Sequence, residues 1–386
     1  MPWLLLCYPR TAWTPRVESA AGPSTFGGVT GNAGSEGEPR SREKPSHVWY
    51  LWQNWNRQVS IDASATSLRF AIIGAGRLGV SLALALREHG LTLIGFTSAS
   101  AAGRARAQHQ LGLSACPSLA DLVALRPELY FVCVPDGAVA DVAAELASAL
   151  AAHGGGAAGS AAQHPVVAHT SGATSVSVLS PCEKAGAATL VFHPLQTFAE
   201  PLAGASRFAG AGVAITPGSV RPDLAGTMGL KIADLLGLRP FFLADDKRSL
   251  YHAAASMACN YLVTLEYLAN DLFVKAGVPE RVTLSLFLPL VQATLDNLAA
   301  QGPVDALTGP LSRGDTATIA AHLEALAADA PNVLPVYRAL GRTTLELVTA
   351  RADVDARVVA RMRELLTEPA AVMAPAATAA GGEATQ

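Results

Sequence analysis

Charge is sparse in this sequence, and the charges that are present nearly cancel. Only 15% of the 386 residues are charged, with 28 Lys and Arg against 31 Asp and Glu. The basic residues form no dense cluster, which argues against a nucleic-acid partner because such partners bind concentrated positive charge. No stretch of about 18 residues is free of charge, Gly, Pro or polar runs, so we expect no membrane-spanning helix. Hydrophobic residues make up 50% of the chain, which excludes disorder throughout.

Cysteine is also scarce, and its spacing matches no metal or disulfide pattern. The five cysteines form no C-x-x-C pair and are widely separated: Cys7, Cys116, Cys133, Cys182 and Cys259. We therefore expect reduced structural thiols and no metal site. The apolar residues Leu4, Leu5 and Leu6 have no basic residue before them. A secretory signal is thus not indicated, and the cytoplasm is the expected compartment.

Tryptophan is missing from all but the first 55 residues, where all five tryptophans lie. Residues 21–46 are rich in Gly, Ser, Pro and Glu, a mixture that buries too little apolar surface to offset ordering. Residues 1–66 are predicted to be a mostly disordered extension. A Trp-bearing peptide that docks on a partner and a wrongly chosen start codon are the alternatives. The Ala- and Gly-rich residues 367–386 are predicted to form a second disordered tail.

From Leu68 onward, short apolar runs alternate with longer amphipathic stretches. This alternation predicts an α/β fold with an N-terminal Rossmann-type parallel sheet over residues 67–244. Strands are expected at residues 69–73, 91–96, 129–134, 166–169, 190–192, 213–216 and 241–243. After Asp245 the strand pattern stops, and helices are expected over residues 247–275, 280–300, 316–328 and 333–350. Residues 245–366 are therefore predicted to be an all-helical second domain.

A glycine fingerprint follows the first strand and opens a helix. It reads Gly74-Ala75-Gly76-Arg77-Leu78-Gly79, and its position in a β-α-β unit gives the G-x-G-x-x-G pattern its meaning. Gly74 allows the tight turn, Gly76 lets a pyrophosphate approach the backbone, and Gly79 lets the helix pack closely on the strand. The helix N-terminus adds amide donors and a positive dipole. Leu78 belongs to the same turn, and Arg77 is a further phosphate candidate.

The lack of an acidic residue after the second strand indicates which dinucleotide to expect. An NAD site places Asp or Glu at the end of the second strand, whereas no acidic residue lies between Glu88 and Asp121. Thr97 and Ser98 end that strand instead, with Arg104 and Arg106 just beyond. Hydroxyls and a nearby guanidinium suit a 2′-phosphate, so NADP(H) is favoured over NAD. A solvated helix face is the alternative for both arginines.

Two further loops lie at carboxyl ends of strands, where ligands of such sheets bind. Val134-Pro135-Asp136 follows the third strand, and His169-Thr170-Ser171-Gly172 follows the fourth. Val134, Pro135, Asp136 and Ser171 are expected to line the nicotinamide end. Capping of the next helix is an equal alternative for Asp136.

Six segments together carry a resemblance to a known family. They are the fingerprint, the 134–136 turn, the 169–172 segment, the 193–198 segment, the 251–260 helix and the 308–315 loop. Over about residues 68–365 the chain resembles Rossmann-like proteins with a C-terminal DUF2520 domain. These are assigned as NADP-dependent oxidoreductases, similar in layout to pyrroline-5-carboxylate reductase, ketopantoate reductase and F420-dependent NADP oxidoreductases. The chain departs from the family at Ala99, where such sequences often carry Arg.

The resemblance implies a helical domain of the 6-phosphogluconate dehydrogenase C-terminal type that pairs in a homodimer. It also implies an active site between the two domains, and it supplies no substrate. Arg313 lies in the 308–315 loop, at the place where pyrroline-5-carboxylate reductases carry a substrate-binding loop. Arg313 is therefore a candidate for a substrate carboxylate. Pairing with Asp315, the expected N-cap of the next helix, or with a partner subunit is the alternative.

The helix that begins near Lys247 carries a narrow polar line. At 100° per residue, Ser256 and Asn260 fall within 80° of His252, while the other faces are apolar. A buried polar line needs partners, and a cofactor cleft would provide them. His252 is the candidate proton donor to a C=O or C=N group, with Asn260 and Ser256 orienting the substrate. A satisfied core histidine is the alternative, and Lys247 is an outside candidate.

His193 ends a strand before Pro194, at the ligand-binding edge of the sheet. It is a second candidate proton donor, and Gln196 is expected to add a substrate hydrogen bond. The leading hypothesis is a soluble NADP(H)-dependent oxidoreductase that transfers hydride to or from a small C=O or C=N substrate. The alternatives are a non-catalytic NADP-binding sensor or scaffold, and an F420-dependent NADP reductase.

Overall fold

A twisted sheet with helices on both faces forms the first part of the molecule in a computed structural model, which describes residues 68–153 and 164–367. The predicted extension over residues 1–66 and all of the predicted tail except Thr367 lie outside these ranges. The described ranges contain seven strands. They are β1 (Arg69–Ile73), β2 (Thr92–Thr97), β3 (Leu129–Val132), β4 (Val166–His169), β5 (Ala188–Leu195), β6 (Gly212–Pro217) and β7 (Arg239–Phe242).

The strand order is β2-β1-β3-β4-β5-β6-β7. All neighbouring pairs are parallel except β5 and β6, which pair antiparallel. The prediction of a Rossmann-type sheet is confirmed, with the addition that β6 and β7 run against the other five strands. Because β1, β3, β4 and β5 are parallel, their carboxyl ends share one edge of the sheet.

Seven helices accompany the sheet in the described residues. They are α1 (Arg77–Glu88), α2 (Ala101–Leu111), α3 (Leu119–Ala124), α4 (Val139–His153), α5 (Ser180–Lys184), α6 (Pro201–Gly204) and α7 (Pro222–Leu235). Helices α3, α5, α6 and α7 were not predicted from the sequence, and glycines weaken the helical pattern of α7. One of them, Gly229, allows close packing, since a Cβ there would lie 3.2 Å from Leu190 and 3.3 Å from Ile215.

The sheet is buried on both faces, which explains why its strands are nearly continuous apolar runs. Phe70 and Ile72 of β1 belong to one core layer, and Ala71 and Ile73 belong to the other. Burying one such large side chain stabilises the fold by about 1.5–3 kcal/mol. Two-sided burial therefore holds the strand ends, and the loops that follow them, in fixed positions.

Between β7 and Thr367, every described element is helical. These elements are α8 (Arg248–Ala258), α9 (Asn260–Lys275), α10 (Glu280–Asp305), α11 (Pro310–Arg313), α12 (Thr316–Asp329), α13 (Leu334–Arg351) and α14 (Ala356–Leu366). The single helix expected over residues 247–275 is two helices, because the backbone departs from helical geometry at Cys259 (φ −116°, ψ −64°). A small core that includes Ile319, Leu345 and Met362 joins the last helices.

Helices α8, α9 and α10 bury little in a single chain. Arg248 is the one buried residue of α8, none of the 16 residues of α9 is buried, and α10 buries Thr283 and Phe287. The segment Glu280–Arg313 is long and apolar enough to cross a membrane by length and composition. A helix that packs against protein meets the same criterion, and Gly302 interrupts this segment with φ 78°.

Candidate nucleotide site and histidine cluster

The fingerprint turn is shaped by its glycines. Gly74 has φ +92°, and a Cβ there would lie 2.6 Å from the carbonyl oxygen of Cys133. At Gly79 a Cβ would lie 2.4 Å from the carbonyl oxygen of Gly74, so helix α1 packs directly on the turn. At Gly76 a Cβ would meet nothing within 4 Å. The N-terminus of α1 therefore faces open space at Gly76, a geometry that fits a phosphate group.

The end of β2 is joined to this turn. The amides of Gly74 and Ala75 both donate to the carbonyl oxygen of Thr97, at 3.0 and 3.1 Å. Arg104 folds back over the next loop, where its Nη1 donates to the carbonyl oxygens of Ser98 (3.0 Å) and Ala99 (2.8 Å). This contact places a guanidinium beside the Ser98 backbone, with no acidic residue in the first turn of α2. The arrangement suits a phosphate at the ribose 2′ position.

The turn after β3 carries Val134, Pro135 and Asp136. Asp136 is exposed and begins a short 3-10 turn, in which no side-chain capping hydrogen bond forms. The capping alternative for Asp136 therefore has no support in the geometry. The Asp136 carboxylate instead acts through space, because its charge raises the pKa of both His169 and His193 against larger opposing effects.

His169 organises the loop after β4. The amide of Ser171 donates to its Nδ1 at 3.2 Å, so Nε2 carries the ring proton and donates to the carbonyl of Ser175 at 3.3 Å. Burial, followed by the nearby Arg248 charge, lowers the pKa of His169 to about 4. The Ser171 hydroxyl donates to Thr174 at 2.8 Å. His169 is thus a neutral structural residue, and the Ser171 side chain is engaged inside the loop.

Arg248, at the start of α8, connects the helical part to this loop. Its side chain is buried and donates to the carbonyls of Thr174 (2.8 Å), Ser171 (2.7 Å) and Gly172 (3.0 Å). A fourth bond, at 3.0 Å, reaches the hydroxyl of Thr216. Hydrogen bonds to a charged donor are stronger than neutral ones. The guanidinium therefore fixes the loop backbone.

Sequence reasoning missed Arg248, because a charged run of residues at a domain junction indicates solvated side chains. That expectation fits Lys247, which is 64% exposed and pairs with Asp246. The expectation of solvent exposure fails at Arg248, whose exposed fraction is 1%. No local signal distinguishes the two, because the acceptors of Arg248 come from residues 32 to 77 positions away.

His193, Tyr251 and His252 form a cluster around Gly172. His193 Nδ1 lies 2.8 Å from the Tyr251 hydroxyl, and the His193 and His252 ring centroids are 6.2 Å apart. A Cβ at Gly172 would lie 2.6 Å from His252 Cδ2 and 2.8 Å from His193 Nε2. The structure thus brings both predicted histidines to one backbone position. Tyr251 completes the cluster and was not among the predicted site residues.

The cluster is electrostatically unusual. Burial, the Arg248 charge and His252 together lower the pKa of His193 to about 4. Burial raises the pKa of Tyr251 to about 12. Both side chains are consequently neutral at neutral pH, and little of the His193 imidazolium is present to act as an acid.

The remaining predicted residues are placed differently. The break at Cys259 puts Asn260 at the exposed start of α9. The polar line expected for one straight helix from His252 to Asn260 therefore ends at Ser256, which is half-buried. Gln196 turns onto its own loop, where it donates to the carbonyl of Arg207 at 3.3 Å and accepts from the Thr197 amide. The substrate-facing roles of Gln196 and Asn260 therefore stay predictions.

Arg313 ends the short helix α11, which packs against α12 and α13. Asp315 caps α12 by accepting from the Thr318 amide at 3.0 Å. Hydrogen bonds from Thr318, and then the Arg313 charge, lower the pKa of Asp315. The expected cap is confirmed. The positive charge of Arg313 favours the ionised form of Asp315 in the same chain.

Two family models match the chain. The Rossmann-like domain matches residues 56–194, and the domain of unknown function DUF2520 matches residues 223–344. The chain combines a Rossmann-like domain with a DUF2520 domain. No significant sequence match is found among curated proteins.

Solved structures share this fold. A candidate NADP oxidoreductase from Bacteroides fragilis, BF3122, is 24% identical with a TM-score of 0.56, over 72% of this chain and 98% of that one. Protein TM1727 from Thermotoga maritima is 21% identical with a TM-score of 0.55, over 72% and 99%. A 1-pyrroline-5-carboxylate reductase from Streptococcus pyogenes is 16% identical with a TM-score of 0.50, over 78% and 100%.

Proposed function

We propose that the protein is an NADP(H)-dependent oxidoreductase that acts on a small substrate with a C=O or C=N group. The observation that carries this proposal is that the fingerprint turn and the histidine cluster lie at the same edge of the sheet. Gly74 follows β1, Gly172 follows β4, and His193 lies near the carboxyl end of the parallel strand β5. Ligands of open α/β sheets bind at this edge.

Residues of the chain fit the pyrophosphate and the 2′-phosphate of a nicotinamide dinucleotide. The open space at Gly76 and the N-terminus of α1 would hold the pyrophosphate, while Thr97, Ser98 and Arg104 would hold a 2′-phosphate. A nicotinamide cofactor, when bound, supplies or accepts a hydride. Two proteins that share this fold are named as an NADP oxidoreductase (BF3122) and a 1-pyrroline-5-carboxylate reductase, and these names support this class of chemistry.

The substrate is proposed to bind next to His193 and His252. Both rings pack directly against the backbone of Gly172, where a Cβ would lie too close to either ring. Two nitrogen-bearing rings can donate hydrogen bonds to one substrate oxygen or nitrogen from different sides. The cluster therefore provides the groups that a carbonyl or imine reduction needs beyond a hydride.

We also propose that a second copy of the chain covers helices α8 to α10. Soluble monomers rarely expose large contiguous apolar patches, and none of α9 is buried in a single chain. The exposed apolar side chains run along three consecutive helices and include Met257, Tyr261, Val263, Tyr267, Leu284, Leu286, Leu288 and Leu290. A homodimer buries this surface with the same residues on both partners.

A titration of the full chain with NADPH and with NADH, followed by calorimetry, tests the cofactor assignment. We expect NADPH to bind at least about tenfold more tightly than NADH, a difference of about 1.4 kcal/mol. Binding of neither cofactor would overturn the proposed function. Binding of NADPH without turnover in a screen of aldehydes, ketones, imines and a deazaflavin would instead favour the sensor alternative.

A further inference from the structure

The two histidines of the cluster have different surroundings. His193 Nδ1 is engaged by the Tyr251 hydroxyl at 2.8 Å, which leaves Nε2 directed toward Gly172. His252 lies on the other side of Gly172, one residue after Tyr251 on α8, and approaches it with Cδ2. The ring planes of the two histidines are nearly perpendicular, at 81°.

The contact with Tyr251 decides which His193 nitrogen carries the proton. A phenol is a stronger acid than a neutral imidazole, and an imidazole nitrogen is a stronger base than a phenol oxygen. The favourable arrangement is therefore donation from the Tyr251 hydroxyl to Nδ1. The ring proton then resides on Nε2, on the side of Gly172. His169 has the same tautomer, which the Ser171 amide determines.

Burial keeps the His193 ring neutral, and the charges around it add to this effect. Arg248 and His252 face it from α8 and disfavour a second positive charge, whereas Asp136, from the turn after β3, favours one. The Arg248 guanidinium is hydrogen bonded to three carbonyls and a hydroxyl, with no carboxylate among these acceptors. Its positive charge is therefore not cancelled by a direct ion pair.

We propose that His193 is a neutral hydrogen-bond donor to the substrate, with Tyr251 as its positioning residue, and that His252 is the residue that transfers the proton. This division of roles rests on the proposed function. Hydride transfer from a bound reduced nicotinamide would break a C–H bond of that ring and form a C–H bond at the substrate carbon, and the π electron pair would move to oxygen. An N–H bond of the His252 imidazolium would break, its electron pair would stay on the ring, which becomes neutral, and the proton would bond to that oxygen.

His193 does not change protonation state in this scheme. Its Nε2–H stabilises the negative charge that develops on the oxygen, as a preorganised donor does at an oxyanion site. For a C=N substrate the same N–H faces nitrogen. In the reverse direction His252 accepts the proton, and His193 again only donates a hydrogen bond.

The tautomer and the protonation state of His193 can be measured without cofactor or substrate. We would label the nine histidines of the full chain with ¹⁵N in the ring, and follow their two nitrogen shifts by NMR between pH 5 and pH 8. The His193→Gln variant identifies the His193 signals. We expect a protonated Nε2, an unprotonated Nδ1 and no titration across this range. A His193 ring that titrates near pH 6.5, or that carries its proton on Nδ1, overturns the proposal.

The Tyr251→Phe variant tests the role of the phenol. Phe keeps the ring contact with Phe241, so the variant should fold, and we expect the Nε2-H tautomer of His193 to become a mixture. The matched control is Tyr337→Phe, which removes a 2.8 Å hydroxyl contact from His322 and should leave the His193 signals unchanged. An unchanged His193 tautomer in Tyr251→Phe contradicts the positioning role.

The roles in proton transfer are separated by two further variants, assayed with the substrate that the NADPH oxidation screen identifies. We expect His193→Gln to lower kcat by a smaller factor than His252→Gln does, because the amide of Gln is also a neutral donor. We expect His252→Gln to lose about 100-fold or more, the usual contribution of a general acid. The opposite ranking overturns the division of roles. Failure of NADPH to bind would overturn the proposed function, whereas the NMR result is independent of that outcome.

Discussion

The guanidinium of Arg248 donates a 2.7 Å hydrogen bond to the carbonyl oxygen of Ser171, a residue 77 positions earlier in the chain. This bond connects the first turn of the helical part to the loop after the fourth strand. The same loop carries Gly172, against which His193 and His252 pack. This side chain therefore contributes both to the contact between the two parts of the molecule and to the geometry of the histidine cluster.

Replacing Arg248 should cost stability as well as function. Arg248→Met removes all four hydrogen bonds and leaves three carbonyls without this donor, so we expect the free energy of unfolding to fall by at least about 2 kcal/mol. Urea denaturation measures the change. Lys247→Met is the matched control, since Lys247 is mostly exposed, and it should change stability by less than about 0.5 kcal/mol. Equal effects in the two variants would contradict a structural role for Arg248.

Stability should depend on pH below neutrality. The pKa of both His169 and His193 is lowered to about 4, so the folded state resists protonation that the unfolded chain accepts near pH 6.5. The contribution of the two neutral histidines to the free energy of unfolding is fully present above pH 6.5, and it is lost as the pH falls toward 4. Each residue accounts for up to about 3 kcal/mol over this range.

Urea denaturation at a series of pH values tests this dependence. His193→Gln should flatten the loss of stability between pH 6.5 and pH 4, because glutamine does not titrate. His109→Gln, at an exposed position on α2, is the comparison and should leave the slope unchanged. A wild-type protein whose stability is constant over this range would contradict the assignment of neutral buried rings.

Gly76→Ala should separate nucleotide binding from folding. A Cβ at Gly76 meets nothing within 4 Å, so the melting temperature should change little. The same methyl group occupies the space proposed for the pyrophosphate, so NADPH affinity should drop by tenfold or more, about 1.4 kcal/mol. Calorimetric titration and thermal denaturation of the same sample provide both values. Unchanged affinity would place the pyrophosphate elsewhere.

Arg104 should select NADPH over NADH. Arg104→Ser removes the guanidinium held at Ser98 and Ala99, so NADPH affinity should fall several-fold while NADH affinity stays constant. Arg106→Ser is the control on the same helix, at an exposed position. If only the Arg106 variant lost the preference for NADPH over NADH, Arg106 and not Arg104 would hold the 2′-phosphate.

A charge on α9 should break the proposed dimer. Tyr267 is 71% exposed in a single chain, and Tyr267→Glu would place a carboxylate in the buried interface of two copies, which is costly. Light scattering after gel filtration should show a dimer for the natural chain and a monomer for this variant. Leu202→Glu alters an equally exposed residue, 65% accessible, in the sheet domain and should remain dimeric. A monomeric natural chain would refute the proposed homodimer.

The strands, the fingerprint and the helical second half could be predicted from the sequence because their signals are local. A run of apolar residues indicates a strand buried on both faces, and the positive φ of Gly74 follows from a tight turn that glycine adopts without strain. The absence of acidic residues after β2 is likewise a property of the chain itself. These features need no information about distant neighbours.

Other features required the folded chain. The antiparallel pairing of β5 with β6 is one, because an apolar run has no direction. The break at Cys259 is another, since the residues on both sides of it favour helix. Arg248 stands in a charged run that indicates solvent exposure, and it is buried because its acceptors are supplied by loops far along the chain.

The histidine cluster shows the same division within one site. The sequence by itself determined that His193 and His252 could reach a ligand-binding edge, since strand ends and helix periodicity are local. Only the tertiary structure decided that Tyr251 engages His193 at 2.8 Å, across 58 residues, and that both rings face Gly172. The physical reason is that a tautomer and a pKa depend on which groups surround a ring, and those groups meet only when the chain is folded.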